Sequence, residues 1–251
     1  MRRLLLSLSL FPVFFACVPA MADVAQLPLI TSTSVPTGTT TYSASMTTLL
    51  AMGLWGLVVP AILCLTPFLR ITIVFSIMRQ ALGLTSIPSN KVLAALAFIV
   101  SCFIMSPQIT KIYNTAWIPL QKNEITVDQA AGNAWKPIRE FMIHQTRAKY
   151  LEAYLHMNGE QYTTKDKVSV PVLAAAYISS EIQTALTIGF FIYIPSVIID
   201  LIVSSVLMAL GMMMVSPMII STPIKILVFV LCDGWMLIVE GLSKSFFMGG
   251  S

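Results

Sequence analysis

Charged residues are scarce in this chain. Only 10% of its 251 residues are Asp, Glu, Lys or Arg, whereas 57% are hydrophobic and the mean hydropathy is +0.84. A water-soluble domain of this length does not need so large an apolar fraction for its core. The formal net charge of +4 is too small to indicate nucleic-acid binding. The composition therefore predicts a protein of the membrane class with no nucleic-acid partner.

Residues that carry catalytic and metal chemistry are scarce as well. The chain contains neither the Gly-rich phosphate loop ending in Lys-Ser/Thr nor the His-Glu-x-x-His zinc motif. Glu140 and His144 lie one helical turn apart, but two ligands without a third do not make a metal site. Outside the N-terminal segment, Cys64, Cys102 and Cys232 each lie in an apolar run, which is typical of free buried thiols. We expect no enzymatic activity, no cofactor and no bound metal.

The first 22 residues have the pattern of a cleavable secretory signal. Arg2-Arg3 precedes an apolar run over 4–18, and Ala20-Met21-Ala22 supplies small residues for cleavage after Ala22. A lipoprotein signal at Cys17 or a twin-arginine signal fits the flanking residues less well. The segment 23–45 is rich in Thr, Ser, Pro and Gly, which predicts an extended polar tail on the exported side.

A polar region separates two apolar halves. Fourteen of the 26 charged residues lie between residues 111 and 167. We therefore predict an all-α fold with an N-terminal apolar helical hairpin over 46–107, a polar amphipathic helical insert over 108–168 and C-terminal apolar helices over 169–251. Hydropathy alone indicates a multipass membrane protein with four or five spanning helices.

Within the insert, Thr126 and Gln129 predict a capping box at a helix start. Pro137 predicts the start of a stretch that ends at Asn158-Gly159. This helix should bury one apolar face, against either the protein's own hairpins or another subunit. The face consists of Ile138, Phe141, Met142, Leu151 and Leu155.

Prolines predict the ends of the apolar helices. The run over 92–107 closes at a proline and is short for an independent span. Pro195 predicts a break between helices over 171–194 and 196–221, and the last helix is expected over 224–242. A polar edge on the first of these should face protein or water, and it is formed by Tyr177, Ser180, Glu181, Thr184 and Thr187.

Methionines interrupt the apolar sequence between Gly211 and Pro217. Asp200 is the only charged residue between 182 and 223, so Met212, Met213 and Met214 lie deep in apolar surroundings. Gly and Pro loosen or end a helix, and irregular backbone at that depth is tolerated only inside protein or along a cavity. Unbranched thioethers form a soft apolar surface. The stretch therefore predicts an adjustable apolar seal.

Ionisable residues in the C-terminal half need partners, because each would cost a few kcal/mol if left unpaired at a bilayer centre. Lys225 is the only basic residue in 168–243. We expect it to pair with Asp200, Glu181 or both, within a subunit or between subunits. Alternatively, Lys225 and Glu240 extend from helix ends towards water. Further candidates for polar packing are Arg70, Arg79 and Asp233.

Five stretches carry a resemblance to a known family. They are Phe68–Gly83, Pro88–Leu93, Phe103–Pro107, Val206–Pro217 and Lys225–Trp235. In this order they resemble the FliP family of type III export-gate subunits, over roughly residues 46–242. The N-terminal signal favours the flagellar branch over the virulence-secretion branch.

The resemblance implies a subunit that assembles in several copies with FliQ and FliR, and next to FlhB and FlhA, into a helical export gate of the flagellar basal body. Unfolded flagellar proteins would cross the inner membrane through this conduit, with much of the assembled subunit on the periplasmic side. Met212, Met213 and Met214 would form a gasket around the pore, on a backbone shaped by Gly211 and Pro217. Glu181, Asp200 and Lys225 would hold subunits together.

Two other functions remain open. A multipass permease for a small solute would need convergent polar groups at mid-membrane, for which Asp200 and Glu181 are the candidates. A methionine-lined copper site has chemical sense because thioethers suit Cu(I). Adjacent methionines point in different directions from a helix, however, so they suit a ring built from many subunits better than one metal.

Overall fold

The computed structural model describes residues 31–34, 40–43, 52–54, 56, 60–159, 168–212 and 214–248. It contains two units, over residues 1–62 and 63–251. The predicted signal over 1–22, its cleavage site at Ala22 and Met213 lie outside the described residues. So does much of the predicted first apolar helix.

In the first unit, two short strands pair within the predicted tail. Strand β1 (Thr31–Ser34) and strand β2 (Thr40–Ser43) are antiparallel, with Thr31 opposite Ser43 and Ser34 opposite Thr40. The segments are rich in threonine, whose β-branched side chain favours strands. The composition had predicted extended backbone without indicating this pairing.

The second unit is helical, as predicted. A π-helical turn at Tyr113–Trp117 joins the second and third helices. The helices are α1 (Phe68–Ala81), α2 (Asn90–Ile112), α3 (Ile118–Gln121), α4 (Val127–Gln145), α5 (Ala148–Met157), α6 (Val170–Ala209), α7 (Pro217–Leu231) and α8 (Gly234–Met248).

The core lies where the N-terminal half of α6 packs against α1, α4 and α5. Tyr177 and Leu173 of α6 are fully buried, as are Phe75 of α1 and Met142 of α4. Gly189 lets α1 and α6 approach closely, since a Cβ there would lie 2.3 Å from the Ile77 side chain. The core therefore depends on small as well as large residues along α6.

The insert begins with the predicted capping box. The Thr126 hydroxyl accepts a hydrogen bond from the Gln129 backbone N–H (3.4 Å), and the Gln129 side chain accepts one from the Thr126 N–H (3.3 Å). The predicted stop at Asn158-Gly159 is also confirmed, with Gly159 at φ +70°. The predicted start at Pro137 is wrong, because this proline lies inside α4. The protein's own core covers the apolar face of the insert.

The predicted breaks at Pro107 and Pro195 are wrong, whereas a break is present between Gly211 and Pro217, where the sequence had predicted that the helix loosens or ends. Helix α2 continues through Pro107, and α6 continues through Pro195. A proline removes one backbone hydrogen bond, which a long helix can absorb as a kink. The actual breaks follow left-handed residues, Gly211 (φ +73°) after α6 and Asp233 (φ +47°) between α7 and α8. Helices α7 and α8 are bent by 63° at this second break.

Two described helical stretches are long and apolar enough to cross a membrane, over 90–121 and 170–209. If the bent pair α7 and α8 is counted as one span, the number of candidate membrane-spanning stretches rises to three. Within the described residues this is fewer than hydropathy had predicted. The 40 residues of α6 correspond to about 60 Å, roughly twice the thickness of a hydrocarbon core.

Apolar side chains are exposed along the C-terminal half of α6 and along α7. In α7 only Ser221 and Lys225 are buried. We call this region, α6 from Phe190 onwards together with α7, the apolar arm. Its exposed side chains include Phe190, Phe191, Ile198, Leu201, Ile202, Leu227 and Leu231.

Candidate gate loop and its ion pairs

The methionine stretch forms the turn between the two helices of the apolar arm. Gly211 takes the left-handed conformation, and its N–H donates to the Met208 carbonyl (3.0 Å). The Met212 N–H donates to the Leu207 carbonyl (3.0 Å). Pro217 then begins α7 as its first residue, a position where a missing N–H costs nothing. Backbone conformation at Gly211 therefore ends α6.

The two described methionines of this turn are exposed. The exposed fraction is 43% for Met212 and 101% for Met214. A thioether is apolar, flexible and a weak hydrogen-bond acceptor. The turn therefore presents deformable apolar side chains at one end of the apolar arm.

An ion pair joins the two helices of the arm. Lys225 Nζ of α7 donates to Asp200 Oδ2 of α6 over 2.7 Å. Lys225 is 5% exposed, whereas 43% of the Asp200 side chain is exposed. Of the two predicted partners of Lys225, the structure thus places Asp200 in contact with it, within a single chain. A role for this pair between subunits stays a prediction.

Glu181, the other predicted partner, contacts Arg70 of α1. Arg70 Nε donates to Glu181 Oε2 over 2.8 Å, and Arg70 Nη2 donates to Glu181 Oε1. Both residues are buried, with exposed fractions of 3% and 0%. The sequence offered a signal for this pair, because Arg70 is a charge within an apolar helix. That signal did not identify which acid lies opposite.

The same arginine also holds the last helix. Its Nη1 donates to the Ser245 hydroxyl (3.0 Å), and its guanidinium carbon lies 3.8 Å from the centre of the Phe246 ring. The Gln145 side chain donates to the Phe246 carbonyl (2.9 Å). Arg70 therefore connects α1, α6 and α8 through one buried guanidinium group.

The remaining candidates lie elsewhere. Arg79 Nη1 donates to the Pro88 carbonyl (3.0 Å), so it fixes the turn before α2. Asp233 is exposed and forms the bend before α8. Glu140 contacts Lys111 at 3.6 Å on the surface. Cys232 is exposed, which corrects the prediction that it is buried.

No group of three or more His, Cys, Asp or Glu side chains in the described part of the chain could hold a metal ion.

Exchanging the charges of Lys225 and Asp200 tests their pairing. Replacing Lys225 by Ala should destabilise the protein by about 1–2 kcal/mol, because Asp200 loses its partner but keeps some contact with water. The double variant Lys225→Asp/Asp200→Lys should recover part of that loss. Thermal unfolding in detergent measures the effect. Strictly additive single and double effects would show that the two side chains do not interact.

Together, the fold and the loop define a helical membrane protein whose longest apolar helix, α6, ends in a turn with exposed methionines. The profile of the FliP family matches residues 49–242, and the chain belongs to that family.

Three relatives named flagellar biosynthetic protein FliP show how far the similarity extends. The Pectobacterium carotovorum subsp. carotovorum protein is 40% identical over 224 residues, which cover 89% of this chain and 87% of the relative. The Bacillus subtilis (strain 168) protein is 45% identical over 196 residues, 75% of this chain and 86% of the relative. The Buchnera aphidicola subsp. Baizongia pistaciae protein is 40% identical over 236 residues, 94% of this chain but 65% of the relative.

Membership of this family indicates a structural component of the flagellar export apparatus and not an enzyme. Together with the apolar helices, it also indicates a membrane location.

Proposed function

We propose that this chain is a subunit of the flagellar type III export gate, which forms with FliQ and FliR the conduit for unfolded flagellar proteins across the inner membrane. The observation that carries the proposal is the apolar arm. Its two helices expose apolar side chains along most of their length, and their junction presents the methionine loop. Family membership supports the same assignment.

Neighbouring subunits would cover much of the apolar arm. In lipid, helices associate through close packing and through polar contacts. Several copies that pack arm against arm would bring their methionine loops together around one axis. A ring of thioethers excludes water and ions from a narrow pore by dewetting, yet yields to an unfolded chain because the side chains are flexible.

The length of α6 supports a position only partly inside the bilayer. At about 60 Å it exceeds the hydrocarbon core by roughly 30 Å. One face of its N-terminal half is buried against α1, α4 and α5, so the protein itself covers part of this half. We propose that this half, with the insert, lies on the periplasmic side, and that FlhB and FlhA contact the assembled gate.

A small-solute permease fits the structure less well. Such a protein needs convergent polar groups that are free to bind the solute at mid-membrane. Glu181 is engaged by Arg70, and Asp200 by Lys225. Both carboxylates that a solute site would need are therefore engaged in ion pairs within the protein.

Copurification tests the proposal. When the tagged chain is expressed together with FliQ and FliR, native mass spectrometry should show a complex with several copies of this chain. Leu201→Lys, on the exposed apolar arm, should reduce assembly, because a charge cannot be buried there without a partner. Lys111→Ala, which removes a half-exposed surface charge, is the matched control and should assemble normally. A stable monomer under these conditions would contradict the proposal.

A further inference from the structure

The apolar arm leaves the core at two points. Along α6 the last residue that packs with the core is Ile192, and the core resumes at Ile238 of α8. Among the described residues between these two, none belongs to the core, although Val203 and Leu207 of α6 are buried. We call α6 from Ser196 onwards, together with α7, the outer arm. Its two helices therefore pack mainly on each other.

A backbone irregularity lies close to each of these two points. Pro195 lies inside α6 three residues after Ile192, and it has no N–H to donate to the Phe191 carbonyl. Asp233 takes a left-handed conformation (φ +47°) between α7 and α8, which are bent by 63° there. Prolines within helices and residues at helix ends are the positions at which a helical connection changes its angle most easily.

Helix α8 shows how an element of the same length is attached when it belongs to the core. Both α7 and α8 have 15 residues. In α8 the Trp235 ring lies 5.1 Å from the Phe75 ring of α1, and Leu242 is 1% exposed. Of the residues of α7, all of them described, only Ser221 and Lys225 are buried. Elements with so few buried apolar side chains are the ones that move most easily.

An ion pair holds the two helices of the outer arm together. Lys225 Nζ lies 2.7 Å from Asp200 Oδ2, and Asp200 lies beyond Pro195 on the side of the arm. The outer arm also meets the turn after α1, where a Cβ on Gly83 would lie 2.7 Å from Thr222 Oγ1. One side chain meets a glycine there, so this contact stops the arm on one side without interlocking side chains.

We infer that the outer arm pivots relative to the core as one two-helix unit, about Pro195 in α6 and about Asp233 between α7 and α8. The turn at Gly211 lies about 20 Å along α6 from Pro195, at 1.5 Å per residue. A small rotation at the two pivots therefore displaces this turn by several ångström. The inference goes beyond the proposed function, because it concerns motion within one chain and holds whether or not the chain forms a conduit.

Pairs of spin labels in the full-length chain test the pivot, after replacement of the four native cysteines by Ala. Labels at Lys149 of α5 and Ile219 of α7 report the distance from core to arm, labels at Val197 and Ile219 report a distance within the arm, and labels at Lys149 and Ile99 of α2 report one within the core. All four positions are exposed. Double electron–electron resonance in detergent gives the distance distributions, with excess unlabelled chain so that both labels of a pair lie in one copy.

The distribution from Lys149 to Ile219 should be clearly broader than the other two, because only this distance spans the pivots. Three distributions of equal width would show that the arm is fixed to the core and would overturn the inference.

Replacing Pro195 by Ala tests the first pivot. Alanine supplies an N–H that can donate to the Phe191 carbonyl, so the distribution from Lys149 to Ile219 should become narrower. Pro171→Ala, in the first turn of the same helix, is the matched control and should leave this distribution unchanged. If Pro195→Ala has no more effect than the control, the proline is not a pivot.

Replacing Asp200 by Asn tests whether the outer arm moves as one unit. The variant keeps the shape of the side chain but removes its charge, so the ion pair with Lys225 is lost. The distribution from Val197 to Ile219 should then become broader, because α6 and α7 separate more easily. An unchanged distribution would show that the ion pair does not hold the two helices together, and the description of the arm as one ion-paired unit would be wrong.

Discussion

Replacing Arg70 by Ala is expected to lower the free energy of unfolding by about 3–5 kcal/mol, the typical cost of breaking a buried ion pair from one side. Glu181 is completely buried, so the variant leaves a carboxylate without its partner and away from water. The change also removes the contacts of Arg70 with Ser245 and Phe246, which hold α8. Thermal or denaturant unfolding in detergent measures this loss, and the amount of protein in the membrane should fall with it.

A double variant distinguishes the contribution of the two charges to stability from the contribution of side-chain packing. Arg70→Met/Glu181→Leu removes both charges and keeps much of the volume, so it should be more stable than Arg70→Ala alone. Lys111→Ala is the matched control, because it breaks an ion pair whose side chains are both about half exposed, and it should cost no more than about 1 kcal/mol. An Arg70→Ala variant as stable as this control would show that the buried pair contributes little.

The two ion pairs show what a sequence can reveal about a buried site. Asp200 and Lys225 lie 25 positions apart on helices joined by a short turn, so their meeting follows from the local connection. Arg70 and Glu181 are separated by 111 positions. Their contact depends on how α1 packs against α6. The chemical character of individual residues in the sequence does not determine this packing. The need for a partner was therefore predictable for Glu181, but its identity was not.

Helix type was easier to predict than helix ends. The capping box at Thr126 and Gln129 was predictable, because it depends on residues only three positions apart. The continuation of α6 through Pro195 was not, because a proline can end a helix or bend it, and the surrounding packing decides which. The bend at Asp233 was missed, although aspartate adopts a positive φ more often than most non-glycine residues and an Asp-Gly pair is a common turn signal. Tertiary contacts thus decide whether these long apolar helices continue through a proline.

The exposure of the apolar arm was also not predictable from composition. Core helices and helices covered by lipid or by neighbouring subunits are equally apolar, so hydropathy treats the buried half of α6 and its exposed half alike. The structure distinguishes them, because Tyr177 and Leu173 lie in the core while Phe190 and Phe191 are exposed.

Replacing Met212, Met213 and Met214 together by Ala is expected to make the assembled gate leak ions. Alanine is apolar but much shorter, so the proposed ring would lose the side chains expected to close the pore, and water could enter. A single Met→Ala change should have a much smaller effect, because the neighbouring thioethers are flexible enough to fill the gap. Ion flux through purified complexes in vesicles measures the seal, and export of a flagellar substrate measures transport separately.

The comparison requires equal amounts of assembled complex, and conservative substitution supplies the control. Replacing the three methionines by Leu keeps the side chains large and apolar, so this variant should remain ion-tight. Its branched side chains are stiffer, however, so export should slow even though the pore stays closed. If the triple Ala variant assembles normally and is as ion-tight as the parent, the three methionines do not form the seal and serve only to pack against neighbouring helices.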